Sequence, residues 1–421
     1  MPYRQFHATK GQGRWAGVAL MSVLVFAAGC ADSLSAPDPA ATADATVGAT
    51  QSGPASVTAV YEFAPPVFDI AAAPNGNILV AETVFPVTPT GVGETMTTVK
   101  EIRRTGGADG IGEVAQITTL PGSPINGLAA TGAQSFFATS GGKDLALGAG
   151  VWHVTPGGQR LIGDVEAFAK ANSVDALEGP QWKIPACEIN PDAGFSEGPH
   201  SNPYHLDRLD GGTALVADAA GNTLLEANMN GRMDWVAVFT PAVADGSSSD
   251  DPSDWMVLFP LGADANCYVQ PVPDAVAVGP DGAYYVGELT GVTPADIGIG
   301  GGPTTELSRV WRIAPGARNV TCPSEDCTQV ASGLTSIIDV AFGPDGMLYV
   351  VEYDEAGWFT AVTAGPTSGT INRCDVMGAG GCEVVEDGLT LPSAIAFDKW
   401  GDLWLLENNL FAPTVRQVDL D

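Results

Sequence analysis

The sequence predicts an all-β chain built from one four-stranded unit written six times. Three observations predict it. A strand–turn–strand phrase recurs along the chain, each copy is followed by further strand-like segments, and no long helical periodicity competes. Six such units closed radially make a six-bladed β-propeller.

In chain order, the first element is not part of the ring. Arg4, Lys10 and Arg14 precede an apolar run from Trp15 to Gly29, too short to span a membrane comfortably, so residues 1–29 are expected to be an export signal. The run closes "VFAAGC", which resembles a bacterial lipobox with Cys30 as the lipidated residue. Ala27 stands where such boxes usually carry Leu, and a plain secretory signal is the alternative. The remainder of 30–54 is small, polar and Pro-containing, a composition that cannot bury a core and suits a tether. Residues 55–421 are left for the propeller.

The six copies follow. They are "FDIAAAPNGNILVAET" from Phe68, a weaker "NGLAATGAQSFFATSGG" from Asn126, and "HLDRLDGGTALVADAAG" from His205. The others are "DAVAVGPDGAYYVGELTG" from Asp274, "IDVAFGPDGMLYVVEYDE" from Ile338 and "SAIAFDKWGDLWLLENN" from Ser393. PNG, PDG and DGG supply a tight turn, with Pro or Asp at the entry and Gly for positive φ. Third and fourth strands come next, as in "TVKEIRR" and "VAQITTL". The last copy reaches only a third strand, "TVRQVDL". "SVTAVYEF" at 56–63 has no partners of its own and is expected to complete the sixth blade, leaving no open sheet edge.

Without residues 1–29 the chain carries 15 basic and 49 acidic residues, a net charge of about −34. That balance excludes nucleic acid as a partner and restricts membrane contact to a lipid at Cys30. The expected location is the bacterial cell envelope or surface, or the periplasm or medium for an unlipidated form, and the expected state is a monomer.

With Cys30 set aside, six cysteines remain, an even number for an oxidising compartment. Cys322 and Cys327 flank one third-to-fourth turn and Cys374 and Cys382 another, while Cys187 and Cys267 lie in neighbouring between-blade loops. The expected pairs are 322–327, 374–382 and 187–267. Zinc is the rival, but it needs four converging ligands with spacing such as CxxC, which the chain lacks.

Up-and-down blades sort their connections by face. The long segments 83–96, 140–149, 165–203, 240–272, 290–306 and 354–368 all fall on second-to-third or between-blade positions, hence on one loop-rich face. Glu82, Asp218, Glu288, Glu352 and Glu407 close second strands there, with Thr139 in the weak copy. They are either a partial ring of acids for a cation or basic ligand, or caps for backbone N–H groups of their own blades. Asp69, Asn126, His205 and Asp339 stand near the start of innermost strands, where other copies carry Ala275 and Ala394. Oxygen ligands with one imidazole suit Ca²⁺ or a similar divalent ion; polar lining around water is the alternative. Ser201, Asn202, Pro203 and Tyr204 lead into His205, near His200, as ligand-binding candidates. The acidic loop "DGSSSDDPSD" lacks EF-hand spacing. No GxSxG, HExxH or phosphate-cradling glycine motif is present in suitable context.

On these residues the chain is similar to NHL-type propellers. More specifically, "SNPYHLDRLDGGTALVADAAGNTLLEANMNG" (201–231), "VAVGPDGAYYVGELTG", "SGLTSIIDVAFGPDGMLYVVEY" and "DVEAFAKANSVDA" (164–176) resemble the ScyD/ScyE family over roughly residues 57–421. The longer insertion at 241–270 and the extra cysteines depart from it. The resemblance implies the fold and export, not a reaction. Two functions are therefore expected: binding of a small molecule or protein partner through the loop-rich face, or a metal-dependent hydrolase, lactonase or lyase. In the second, Glu288 or Glu352 serves as base beside the ion.

Overall fold

The computed structural model describes residues 59–84, 87–88, 91–92, 95–104, 112–121, 124–141, 148–172, 201–262, 265–378 and 381–420. The expectations for Cys30, residues 1–54, Cys187 and His200 lie outside them.

Six sheets form the blades. Their innermost strands are Val67–Ala72, Ile125–Ala130, Pro203–Leu209, Pro273–Val278, Ile337–Phe342 and Ala394–Phe397, and each touches the next in a closed cycle. The second strands, such as Leu348–Glu352, are buried over most of their length because neighbouring blades cover both faces. Near the axis the strands crowd together. One position of the innermost strand is accordingly Ala71, Ala129, Ala277, Ala341 or Ala396 in five blades, with Asp207 in the third.

The PDG turns behave as their sequence predicts. Gly282 and Gly346 have φ of 77° and 79°, and Asp281 and Asp345 accept the N–H of Ala283 and Met347 at 3.1 Å. Each Asp also pairs with an arginine of its own third strand, Arg312 or Arg373.

The sixth blade closes as expected. Its first three strands are Ala394–Phe397, Leu403–Glu407 and Thr414–Val418, and Val60–Glu62 pairs antiparallel with the last of them. Tyr61 and Phe63 pack with Trp404 and Ile70, between the last and first blades. On the other side of this seam Arg104 of the first blade meets Asp398 and Asp402 of the sixth, both at 2.6 Å.

Cys322–Cys327 and Cys374–Cys382 are disulfides, as expected, and Cys267 is disulfide-bonded too. Two hairpin disulfides mark an extracytoplasmic protein. Among the described residues no helix is long and apolar enough to cross a membrane.

One connection is more than a turn. Between the third and fourth strands of blade four, Val320–Cys322 runs parallel to Met233–Phe239 and gives blade three a fifth strand. The described decorations of the long connections are the helices Val165–Asn172 and Trp358–Ala364 and two hairpins, Val87–Thr88 with Gly91–Val92 and Val257–Gly262 with Ala265–Tyr268.

Candidate functional site: a buried acid–imidazole cluster in the channel

Innermost strands bring Asp69, His205 and Asp339 of blades one, three and five together, with ligand atoms mutually within 4.8 Å and all three side chains buried. His205 Nδ1 lies 3.0 Å from Asp339 Oδ1, and its Nε2 lies 3.9 Å from Asp69 Oδ1. The channel edge of each blade leaves N–H groups without ladder partners, and the carboxylates take them. Asp69 accepts from Ile70 and from Leu128 of blade two; Asp339 accepts from Val340 and from Ile395 of blade six. Asp207 repeats the pattern, accepting from Arg208 and from Val278 of blade four. Carboxylates on alternate blades thus stitch each to its successor.

Asn126 does not join this group. Gly127, not Asn126, occupies the position of Asp69 and His205, because a Cβ there would stand 2.4 Å from Tyr204 O and 2.9 Å from His205 Cα. Asn126 Nδ2 instead donates to Asn202 Oδ1 and Pro203 O at 3.1 Å, joining blades two and three. Asn202 donates its N–H to Asp218 Oδ1 at 2.6 Å. The ring of Tyr204 lies against His205, with centroids 5.0 Å apart.

Asp274 is the group the repeat alignment hides. Ala275 holds the corresponding position in blade four, and Asp274, one residue earlier, is 3% exposed with an Oδ1 that has no hydrogen-bond partner. His205 Nε2 and Ser393 Oγ are likewise buried and unpartnered. An orphaned imidazole nitrogen beside two buried carboxylates is the mark of an ion or water site, so Asp69, His205 and Asp339 fit a bound cation.

The second-strand acids are engaged in their own blades. Glu288 accepts from Arg309 Nε at 2.7 Å and Trp311 Nε1 at 2.6 Å, Glu407 from Arg416 at 3.0 Å, and Glu82 pairs with Lys100. Glu352 accepts from the Thr335 N–H, the Thr370 hydroxyl and Asn372. Thr139 donates to Tyr204 O. Most of these partners sit on third strands, on the side away from the axis. The loop 245–254 likewise bonds itself, Asp245 to Ser247, Asp251 to Ser253 and Asp254 to Ser249.

Burial dominates the electrostatics of the channel. It raises Asp69 to about 7, with His205 opposing and Asp339 adding. It raises Asp274 to about 8 and, in blade three, Asp218 to about 6. Burial works against a charged His205, but Asp69 and Asp339 outweigh it and hold the imidazole at about 9. All four groups therefore bind protons more tightly folded than unfolded, and each stabilises the fold only while it stays protonated. Carboxylates held low by hydrogen bonds and ion pairs, Glu101, Asp281 and Asp345, act the other way and lose their contribution only in strong acid. The melting temperature in EDTA is expected to fall steadily as pH rises from about 5 to about 9. A flat or rising profile over that window, measured by circular dichroism, refutes this charge arrangement.

No family model matches the chain, and no curated protein matches it. Solved structures do. Streptogramin B lyase is 10% identical, covering 86% of this chain and 98% of its own, at a TM-score of 0.39. Virginiamycin B lyase from Staphylococcus aureus is 13% identical, covering 85% and 88%, at 0.41. A gluconolactonase from Xanthomonas campestris is 13% identical, covering 86% and 90%, at 0.45. At such identities the likeness says nothing of chemistry, and the blade count rests on the strand pairing itself.

Proposed function

We propose that the chain is an exported propeller of the ScyD/ScyE kind, a monomer anchored by a lipid on Cys30, that binds a small molecule or protein partner through its loop-rich face. The observation that carries this reading is the asymmetry between the faces. The helix Trp358–Ala364, the Val257–Tyr268 hairpin and the 289–307 connection stand on one side, tight PDG turns on the other. Elaboration concentrated on one face of a repeat ring, with Val320–Cys322 the described exception on the other, is where such proteins place recognition. A cleft of ≈ 610 Å³ between blades four and five reaches this face; its lining includes Glu306, Glu352 and Glu355 and no lysine or arginine. Burial raises Glu352, and the neighbouring Glu355 adds to the rise, so a positively charged ligand is favoured.

The test is a thermal-shift panel of spermidine, arginine amide and choline. At least one is expected to stabilise the wild type by about 2–3 kcal/mol near a hundredfold excess over its Kd. The Glu306→Gln, Glu355→Gln double variant is expected to lose that shift. No shift from any of the three, or an undiminished shift in the variant, overturns the cationic-ligand reading.

A second reading, a metal-dependent hydrolase, lactonase or lyase, is favoured by the Asp69–His205–Asp339 group with its unpartnered Nε2. An ion bound there would supply Lewis-acid polarisation of a substrate oxygen. Asp69, His205 and Asp339 would hold it. Glu288 is tied on both oxygens by Arg309 and is poorly placed to take a proton, which leaves Glu352, on the cleft wall, as the available base. Elemental analysis of protein purified with Ca²⁺ and Mn²⁺ present tests it; no stoichiometric ion removes the enzyme reading.

A further inference from the structure

Resting on the reading that the cleft between blades four and five takes a cationic ligand, we infer that this ligand bears N–H donors, an ammonium or guanidinium group, and that its binding expels a proton held between Glu352 and Glu355. Hydrogen-bond counting locates the proton. Thr370 Oγ1 lies 3.0 Å from Glu352 Oε2 and 2.7 Å from Glu355 Oε1. A hydroxyl has a single hydrogen, so it serves only one of these contacts. The other brings two oxygens to hydrogen-bond distance and needs a hydrogen from a carboxyl group. Asn372 does not fill it, because its Nδ2 hydrogens go to Glu352 Oε2 and Thr370 Oγ1.

The arrangement that satisfies every atom is a chain. Glu352, protonated on Oε2, donates to Thr370 Oγ1, and the Thr370 hydroxyl donates to an ionised Glu355. Thr370 Oγ1 then accepts two bonds and donates one, its full capacity. Glu352 keeps the proton because it is 5% exposed, whereas Glu355 faces solvent. Burial is the largest influence on Glu352 and raises it; the Thr335 N–H opposes and Glu355 reinforces. The other groups around the pair leave this balance alone. Glu306, exposed, faces it from the 289–307 connection, and the blade-four wall, residues 330–335, brings no titratable side chain. Asp354 is taken up by Ala356 and Thr367, and Cys382 is in a disulfide.

The lining also selects the class of cation. Among the described residues no aromatic ring lines the cleft, so the cage that holds a quaternary ammonium is missing. Glu306 and Glu355, and Glu352 once its proton leaves, accept charge-assisted N–H bonds. The exchange balances: the Glu352 O–H bond breaks, its proton passes to solvent, and a ligand N–H takes its place against the carboxylate. Glu352 is free to act as a base only after that step.

The probe is spermidine, titrated into full-length protein by calorimetry in buffers of different ionisation heat. At pH 5.5, above the range where an exposed glutamate titrates, binding is expected to release a proton, and at pH 8 none. Affinity should rise with pH, approaching about tenfold per pH unit on the acid side of that change. Choline is expected to bind at least about tenfold more weakly. In ligand-free protein at pH 5.5, the infrared difference between wild type and Glu352→Gln should show the carbonyl band of a protonated carboxyl group. Glu355→Gln, at an exposed position, is expected to retain that band but lose it at a lower pH. If spermidine binds with the same affinity at both pH values and releases no proton, or if the band is missing, the shared proton is wrong while the cationic-ligand reading stands. Choline binding as tightly as spermidine removes the N–H class. If neither binds at any pH, the cationic-ligand reading falls, and the infrared band still decides the proton.

Discussion

Deleting residues 55–63 is expected to unfold the ring at ordinary temperature, whereas deleting residues 31–54 leaves its melting unchanged. The short strand Val60–Glu62 makes three register pairs with Thr414–Arg416 and carries two buried aromatics beside it, Tyr61 and Phe63, each 8% exposed. Tyr61 sits 6.2 Å from the Trp404 ring, and its hydroxyl oxygen accepts the Gly112 N–H of blade one at 2.6 Å. It therefore braces the last blade against the first. Truncating a buried aromatic costs about 3–5 kcal/mol, and two together approach the whole stability of an ordinary domain, about 5–15 kcal/mol. The deletion also bares the edge of Thr414–Val418 for aggregation. Circular dichroism melts of the two truncations decide it; equal melting contradicts the closure.

Arg309→Met is expected to lower stability by about 3–5 kcal/mol, the loss typical of breaking one side of a buried ion pair. Arg309 and Glu288 both have fully buried side chains. The guanidinium gives Nε and Nη2 to Glu288 at 2.7 and 3.1 Å and Nη2 to Thr240 O at 2.8 Å, linking blade four to blade three. Without it, Glu288 is an uncompensated charge. Burial already raises Glu288 against the pull of Arg309, and with that pull removed it rises further. The variant should then regain stability as acid protonates the carboxyl, so the deficit in urea melts is larger at pH 8 than at pH 5. Arg309→Met with Glu288→Leu removes both charges and is expected to recover most of the loss. A double variant as unstable as the single would mean that packing, not charge, carries the effect.

The ring was legible because each blade needs the same things: a turn that tolerates positive φ, alanine where innermost strands crowd, and an apolar second strand. The cluster was legible only where charge interrupts that pattern, at Asp69, His205 and Asp339. Counting failed one residue away. The ladder slips at the start of the innermost strand in five blades, between Val67 and Ile70 and between Ile125 and Gly127, for example. Such a bulge shifts which side chains face the axis, so strict alternation mistakes Asn126 for Gly127, while Ala275 and Ala394 do hold the equivalent position in blades four and six. The fifth strand of blade three was hidden for another reason. Val320–Cys322 pairs with a different blade, and nothing local in its sequence states its partner.

The closing strand also determines on which side of the ring the preceding chain enters. Val60–Glu62 runs outward to the side where, through Phe63–Pro66, the chain crosses to the start of Val67–Ala72, and that side bears the long loops. Whatever precedes residue 59 therefore joins the ring on the opposite side, beneath the PDG turns. The segment that leads into the ring thus does not have to pass the acidic cleft, and access to the recognition loops is left clear of it.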